Sequence, residues 1–181
     1  MTDGQWPFQG INFKKNTIFI THYSSLITHH MIFREAQLND IAQIQIVRNS
    51  VKENSLSNPG LVTDKDCEEF LFIRGKGWVC EIDECVIGFS IVDLKEKNIW
   101  ALFVHPGHES NGIGNKLHSM MMDWYFEQTK ETVWLGTAPG TRAEKFYKYA
   151  GWKEIGKHGD KEIKFEMSYE AYKDLYLNIE H

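Results

Sequence analysis

Apolar residues recur at three-to-four residue spacing in three stretches of the chain, and this spacing predicts amphipathic helices. The predicted apolar faces are Ile41, Ile44, Val47 and Val51 in the first stretch, Leu117, Met120, Met121 and Trp124 in the second, and Ala143, Phe146, Tyr147 and Ala150 in the third. Asn39 or Asp40 is expected to cap the first helix, because a short polar side chain there accepts a hydrogen bond from the first turn. The pattern therefore predicts three helices with buried faces.

A fourth helix is indicated by its start signal rather than by its periodicity. Thr63 is followed three residues later by Asp66, and this pair resembles a capping box. The helix that it opens is expected to run through Leu71. Gly75 and Gly77 are then expected to end it, since glycine is the usual residue after a helix.

Runs rich in β-branched and aromatic residues predict the strands. They lie at residues 32–33, 78–82, 85–94, 98–104, 133–137, 151–157 and 161–168. Asp83 and Glu84 form a tight turn between two of these runs, so the central strands should form a three-stranded meander. Strands and helices mix without strict alternation, which indicates an α+β fold around one mixed sheet.

The length and the local composition bound the domain organisation. A chain of 181 residues is the size of one domain. Residues 1–30 hold a single acidic residue and two lysines, whereas the sequence after Met31 is densely charged with both signs. We therefore expect an N-terminal extension over 1–30, with Met31 as a candidate start, a folded domain over 31–169 and a C-terminal tail over 170–181.

Charge and cysteine content exclude several classes of protein. The net charge of -5 argues against a protein whose main partner is nucleic acid. Three cysteines without a C-x-x-C spacing indicate neither a disulfide framework nor a zinc site, so no metal is expected. No stretch reaches the roughly 18 consecutive apolar residues of a membrane helix. We expect a cytoplasmic protein with no membrane partner.

One loop carries candidate chemistry. The predicted strand ends in LFVHP, and the loop ESNGIG at residues 109–114 then runs directly into a helix. The free N–H groups of a helix start bind anions, and Gly112 and Gly114 would let a phosphate approach the backbone. A plain structural turn is the alternative interpretation of a Gly-x-Gly pair. The loop therefore predicts that the protein binds a phosphorylated ligand, but it does not indicate which one.

Two common phosphate-binding loops do not match this sequence. The dinucleotide fingerprint needs a third glycine where the chain has Leu117, and a parallel βαβ unit that the preceding hairpin does not provide. A nucleoside-triphosphate loop needs Gly-Lys-Ser/Thr, whereas residues 114–117 read Gly-Asn-Lys-Leu. Dinucleotides and nucleoside triphosphates are therefore disfavoured as ligands of this loop.

The segment LFVHPGHESNGIG, together with RAEKFYKYAGW about thirty residues later, resembles the GNAT superfamily of acetyl-CoA-dependent N-acetyltransferases. The resemblance covers residues 32–168. It includes FREAQLNDIAQI, which is similar to the first strand and helix of the family, and RNSVKENSLSNPGLVT, which is similar to one branch of small bacterial members. It implies a mixed, mostly antiparallel central sheet flanked by about four helices, with acetyl-CoA as the acyl donor.

The resemblance also assigns the cofactor-binding residues. It implies that a loop and helix start hold the diphosphate and that one strand, splayed from the strand at 133–137, pairs with the pantetheine arm. These residues are Glu109, Ser110, Asn111, Gly112, Ile113, Gly114 and Asn115 in the loop, and Leu102, Phe103 and Val104 in the strand. Glu109 departs from the usual Gln or Arg and is expected to point outward or to bond a neighbouring loop. Gly140 replaces a common Asn.

The catalytic residues are implied in the same way. Tyr147 stands where the family often places its general acid, with an ordinary core tyrosine as the alternative. The strand at 98–104 carries no Asp or Glu, so Glu53, or His105 through a water, becomes the candidate base. Asn54 and Trp100 are candidates for the acceptor pocket, with a core tryptophan as the alternative for Trp100.

The implied function is transfer of an acetyl group from acetyl-CoA to a primary amine of a small molecule or a peptide by direct attack. A non-catalytic acyl-CoA-binding or sensor module of the same fold is the alternative, because the strand carboxylate is missing. A homodimer through a sheet edge or the C-terminal segment is a further expectation.

Overall fold

The computed structural model describes residues 30–52 and 61–177. Its strands are β1 (Ile32–Glu35), β2 (Gly75–Ile82), β3 (Cys85–Asp93), β4 (Asn98–Val104), β5 (Val133–Thr137), β6 (Lys153–His158) and β7 (Glu162–Met167). Its helices are α1 (Ile41–Ser50), α2 (Asp64–Glu69), α3 (Ile113–Gln128), α4 (Arg142–Tyr149) and α5 (Tyr169–Tyr172). The helices α2 and α5 continue as π-helical turns over Phe70–Arg74 and Lys173–Leu177.

All seven strands form one sheet in the order β1-β2-β3-β4-β5-β7-β6. Every neighbouring pair is antiparallel except β4 and β5, which are parallel. The turn at Asp83 and Glu84 joins β2 to β3, and both residues adopt a positive φ. The predicted meander and the predicted α+β fold with a mostly antiparallel sheet are confirmed.

Helices cover both faces of the sheet. The helices α1 and α2 bury Ile44, Val47, Cys67 and Leu71 against Phe89 and Ile91 of β3. On the other face, α3, α4 and α5 bury a second cluster that contains Leu117, Met121, Met122, Tyr125, Phe126, Tyr147 and Tyr172. The periodicity of α1, α3 and α4 thus predicted which sides face the sheet. Within the described residues, no helix is long and apolar enough to cross a membrane.

The two glycines predicted to end the second helix have further roles in the structure. Gly75 follows the last residue of the π-helical turn and so ends the helical segment, as predicted, and it also begins β2, whereas Gly77 lies inside β2. A Cβ at Gly75 would lie 1.8 Å from the carbonyl oxygen of Val92, and one at Gly77 would lie 2.3 Å from Leu71. These glycines therefore permit close approach of β2 to its neighbours.

Asp40 does not cap α1 with its side chain. Its carboxylate accepts hydrogen bonds from the Arg34 guanidinium at 2.7 and 2.9 Å and from the backbone N–H of Gln37 at 2.7 Å. Arg34 also donates to Glu81 of β2. Asp40 thus fixes the conformation of the chain between β1 and α1. Adjacent residues alone could not predict this role.

The parallel strands β4 and β5 diverge. They are paired only at Asn98 and Trp134, near the beginning of β4. Their remaining residues lie apart, so the sheet opens between them toward the carboxyl end of β4. This opening positions the candidate site.

Candidate active site

A cavity of about 600 Å³ lies at the open end of β4. Its walls come from the end of α1, the last residues of β4, the loop after it, the first turn of α3 and the side of α4. Ten residues that the sequence analysis proposed line it: Leu102, Phe103, Val104, Glu109, Ser110, Gly112, Ile113, Gly114, Asn115 and Tyr147. The fold therefore brings together residues up to 45 positions apart in the chain.

The loop between β4 and α3 presents backbone donors to this cavity. Pro106–His108 form a short 3-10 turn, and Gly112 follows in the left-handed region at φ 76 as the residue that precedes α3. No side chain caps the helix start. The N–H groups of the first turn have no acceptor inside a helix, and the helix dipole makes this end positive. The start of α3 therefore suits a diphosphate.

The side chains of His105 and Asn111 form hydrogen bonds within the loop. The amide of Asn111 donates to the carbonyl oxygen of His108 at 3.2 Å, and Nδ1 of His105 accepts from the N–H of Gly107 at 3.2 Å. Asn111 is not among the lining residues of the cavity. Its side chain thus holds the loop conformation, whereas the residues beside it face the cavity.

Glu109 forms an ion pair with Arg142, the first residue of α4. Both residues line the cavity, so the pair joins its two walls. The guanidinium offsets the carboxylate that would otherwise repel a diphosphate at this position. The departure from the usual Gln or Arg is therefore accompanied by a cation from the opposite wall.

Tyr147 lies at the inner side of the cavity on α4 and is 6% exposed. Its ring packs edge-on against Trp152 at 5.5 Å between ring centroids. Burial raises the pKa of its phenol above the usual range, so the hydroxyl stays protonated at neutral pH. Among the described residues, no hydrogen bond occupies this hydroxyl. Tyr147 is therefore a core residue whose protonated hydroxyl lies beside the cavity.

His118 of α3 lies behind Tyr147, at 6.4 Å between ring centroids. Its Nε2 accepts a hydrogen bond from the indole N–H of Trp152 at 3.0 Å. Burial lowers the pKa of His118 to about 4, so the imidazole is neutral at physiological pH. The wall behind the phenol thus carries no charge.

The α1 end of the cavity is formed by Ser50, Val51 and Lys52. Trp100, proposed for the acceptor pocket, does not line the cavity. The pairing of β3 with β4 shifts register opposite Trp100, since Ile91 pairs with Ala101 and Val92 pairs with Ile99. This bulge places Trp100 on the α1 and α2 face, where its ring stacks on Phe70 at 4.2 Å.

Glu53 and Asn54, the proposed base and acceptor residue, lie outside the described residues. Within the described ranges, 30–52 and 61–177, no group of His, Cys, Asp and Glu side chains could hold a metal ion.

The model of the acetyltransferase (GNAT) family matches residues 47–152, which is more than half of the chain. The chain belongs to the GNAT acetyltransferase family. It is an acyltransferase, and acetyl-CoA is the acyl donor of this family, as the sequence resemblance implied. No curated protein sequence matches the chain.

Solved structures share the GNAT fold over about three quarters of the chain. PaiA N-acetyltransferase from Thermoplasma acidophilum, in complex with coenzyme A, has a TM-score of 0.65 at 12% identity and covers 77% of this chain and 99% of its own. The ribosomal-protein-S18-alanine N-acetyltransferase from Escherichia coli has a TM-score of 0.60 at 15% identity over 76% of this chain and 92% of its own. The Salmonella typhimurium protein yncA, with its cofactor acetyl-CoA, has a TM-score of 0.61 at 18% identity over 77% and 94%.

The cavity of this GNAT domain fits acetyl-CoA. A Cβ at Gly112 would meet nothing within 4 Å, and one at Gly114 would meet only Phe146 and Val104 at 3.8 and 3.9 Å. The space over both glycines is thus open, and uncapped N–H groups face it. The residues present supply the backbone cradle and the narrow passage along β4 that a diphosphate with a long thiol arm requires.

Two arginines near the GNAT site were not proposed from the sequence. Arg142 begins the segment RAEKFYKYAGW that carries the family resemblance, but its partner Glu109 is 33 residues away. Arg48 begins the segment RNSVKENSLSNPGLVT and packs on the ring of Trp100. Both residues could have been noted as cations inside family-like segments, although only the fold shows what they contact.

Proposed function

We propose that this enzyme transfers the acetyl group of acetyl-CoA to a primary amine of a small molecule or a peptide, by direct attack of the amine. The observation that carries the proposal is one cavity that joins the uncapped start of α3 to the phenol of Tyr147. The first feature suits a diphosphate and the second suits a leaving thiolate. When bound, acetyl-CoA supplies an activated thioester, so no covalent enzyme intermediate is required.

The donor half of the site consists of backbone groups. The N–H groups at the start of α3 bind the diphosphate, while Leu102 and Val104 line the passage for the arm where β4 has left β5. This arrangement fixes the thioester beside Tyr147. Much of the rate enhancement then comes from holding the two reactants in position.

Tyr147 acts as the general acid in this proposal. The phenol is protonated at neutral pH, and its free hydroxyl can give a proton to the departing thiolate. The apolar packing around the ring, from Phe146 and Trp152, holds the hydroxyl in one position.

The amine must lose a proton before or during attack. An amine with a pKa of about 10.4 costs about 4–5 kcal/mol to deprotonate at neutral pH. We propose Glu53 as the base, with His105 through a water as the second candidate, because β4 carries no carboxylate. Asn54, which follows Glu53, is proposed to contact the acceptor.

An amine panel tests this function. Free thiol released from acetyl-CoA is followed with amino acids, polyamines, aminoglycosides and peptides as acceptors, and calorimetry measures acetyl-CoA binding separately. Thiol release that depends on one acceptor class, with an acetylated product by mass spectrometry, is the expected result. Binding without acetylation of any amine would contradict the proposed reaction. Absence of binding would contradict the proposed donor site.

The molecular setting of the enzyme is also proposed. All three cysteines are free thiols, which supports a reducing, cytoplasmic compartment. We propose a folded domain that starts near Met31 and an extension over residues 1–30. Tyr172 is 2% exposed against α3, so we place the end of the domain after this residue rather than at 169. A homodimer through a sheet edge or the C-terminal segment remains our proposal for assembly.

A further inference from the structure

Arg48 is a half-buried cation beside the candidate active site. It lies in the last turn of α1, and its guanidinium carbon is 4.5 Å from the ring centroid of Trp100 and 5.3 Å from that of Phe103. Within the part of the chain that the structure describes, its Nε and Nη2 are buried and have no hydrogen-bond partner. Burial also lowers the pKa of Arg48.

The other three arginines of the chain are paired with carboxylates. Arg34 contacts Asp40 and Glu81, Arg74 contacts Asp93, and Arg142 contacts Glu109. Within the described residues, Arg48 alone among the four has no acidic partner. A buried cation without an acidic partner is costly, so a ligand carboxylate at this position would offset part of that cost.

The position of Arg48 connects it to the acceptor side of the cavity. Ser50, Val51 and Lys52, which follow it in the chain, line the α1 wall of the cavity. Phe103, on whose ring the guanidinium packs, lines the cavity as well. Arg48 itself is not among the lining residues, but its neighbours in the chain and Phe103 are. Since the start of α3 is proposed to bind the diphosphate, we place the acceptor on the α1 side, near Arg48.

We propose that the acceptor is an amine that also carries a carboxylate, such as an amino acid, and that Arg48 binds this carboxylate. The inference rests on the proposed amine acetylation and narrows it to one substrate class. With Nε and Nη2 enclosed, Nη1 is the nitrogen that a ligand reaches first. A carboxylate oxygen that accepts from Nη1 forms a charge-assisted hydrogen bond, which is stronger than one between neutral groups.

The surroundings of Arg48 strengthen this interaction. The rings of Trp100 and Phe103 exclude water from one side of the guanidinium, so its attraction for a carboxylate is less screened than at a free surface. Lys52 adds a second positive charge to the same wall. Two cations on this wall repel polyamines and aminoglycosides, which carry several positive charges.

Matched substrates test the proposal on the unaltered full-length chain. Each amino acid is compared with its carboxamide and with the amine left after removal of the carboxylate, with thiol release from acetyl-CoA as the measurement. We expect kcat/KM for the preferred amino acid to exceed that of both analogues by about tenfold or more, equivalent to ~1.4 kcal/mol. Equal or faster acetylation of the analogues would overturn the carboxylate inference and leave the proposed function standing.

Two variants of Arg48 test whether this residue causes the preference for a carboxylate. Arg48→Met is expected to reduce the preference for the carboxylate to about twofold or less, a loss of ~1 kcal/mol, and Arg48→Lys to an intermediate value. Lys76→Met is the matched control, because Lys76 also lies over a tryptophan, at 5.7 Å from the ring of Trp124, but on β2 away from the cavity. The control should keep the full preference.

Calorimetric affinity for acetyl-CoA and the melting temperature show that each variant is folded. A full preference in folded Arg48→Met would overturn the assignment to Arg48. If no amine of any class is acetylated while acetyl-CoA still binds, the proposed function itself fails, and the acceptor inference fails with it.

Discussion

At the scale of single residues, charge pairing and burial set the chemistry of the site. Glu109 would repel a diphosphate if it stood alone, yet Arg142 neutralises it from the facing wall. Tyr147 is buried without a hydrogen-bond partner in the described part of the chain, so its proton is available to a ligand. Both features depend on single side chains and are testable by single substitutions.

Arg142→Ala should weaken acetyl-CoA binding. The unpaired Glu109 carboxylate would then face the diphosphate, and we expect Kd to rise about tenfold. Adding Glu109→Gln to this variant should recover most of the affinity, since the repelling charge is gone. Calorimetry of the native chain, Arg142→Ala, Glu109→Gln and the double variant measures these changes in acetyl-CoA affinity. A similar loss in the double variant would mean that Arg142 contacts the ligand directly.

Tyr147→Phe should lower kcat by about 100-fold, which is the lower end of the contribution of a general acid. The phenylalanine keeps the ring packing against His118 and Trp152, so acetyl-CoA affinity should hardly change. Single-turnover kinetics measure the chemical step, and calorimetry measures the affinity. An unchanged single-turnover rate would show that Tyr147 is only a core residue.

At the scale of elements, the start of α3 is the main binding feature. Gly114 is not required by the protein itself, because a Cβ there makes only ordinary contacts at 3.8 and 3.9 Å. We therefore expect the bound acetyl-CoA, rather than the folded protein, to require a glycine at this position. The bulge in β4 is a second element-scale feature, since it turns Trp100 toward α1 while Leu102 and Val104 keep facing the cavity.

Gly114→Val should weaken acetyl-CoA binding by more than about tenfold, or ~1.4 kcal/mol, because its methyl groups occupy the space over the helix start. Gly107→Val is the control. It lies in the preceding turn outside the cavity lining, and a Cβ there meets only the His105 ring at 3.5 Å. Calorimetry should find near-normal affinity for the control. Equal affinity for acetyl-CoA in both variants would contradict the proposed backbone cradle.

At the scale of the whole molecule, His118 connects α3 to α4 and to Trp152, which follows α4. It lies in α3, accepts from Trp152 after α4 and packs edge-on against Phe146 at 5.7 Å. Its neutral form belongs to the folded state, since burial lowers its pKa to about 4 from the usual 6.5. Folding of this layer is therefore coupled to pH.

The free energy of unfolding should fall on acidification between about pH 6.5 and pH 4 because of His118. In this window the unfolded chain binds a proton at His118 that the folded chain does not, so stability rises with pH and is lost as pH falls. The loss amounts to about 3 kcal/mol from pH 7 to pH 4.

Urea unfolding of the native chain and of His118→Gln at several pH values tests this coupling. The glutamine oxygen can still accept from the Trp152 indole, so the variant should remain folded at neutral pH. Its stability should depend less on pH in this window than that of the native chain. Parallel pH profiles for the two proteins would show that His118 does not titrate as argued.

The sequence by itself determined the features that depend on neighbouring residues. Helix faces such as Ile41, Ile44 and Val47 follow from local periodicity, and the loop at residues 109–114 follows from glycines next to a helix start. The Thr63–Asp66 capping box formed as predicted for the same reason. Such patterns act over a few residues, where backbone geometry and burial of one face dominate.

Only the tertiary structure decided the interactions between distant positions. Gly77 is seen to lie inside β2, where a Cβ would be too close to Leu71, and Trp100 faces α1 and α2 because a bulge breaks the alternation of β4. Glu109 meets Arg142, and Arg48 is left without a carboxylate among the described residues, only once the sheet has brought their elements together. Burial, charge pairing and register depend on contacts across the fold, which local spacing does not encode.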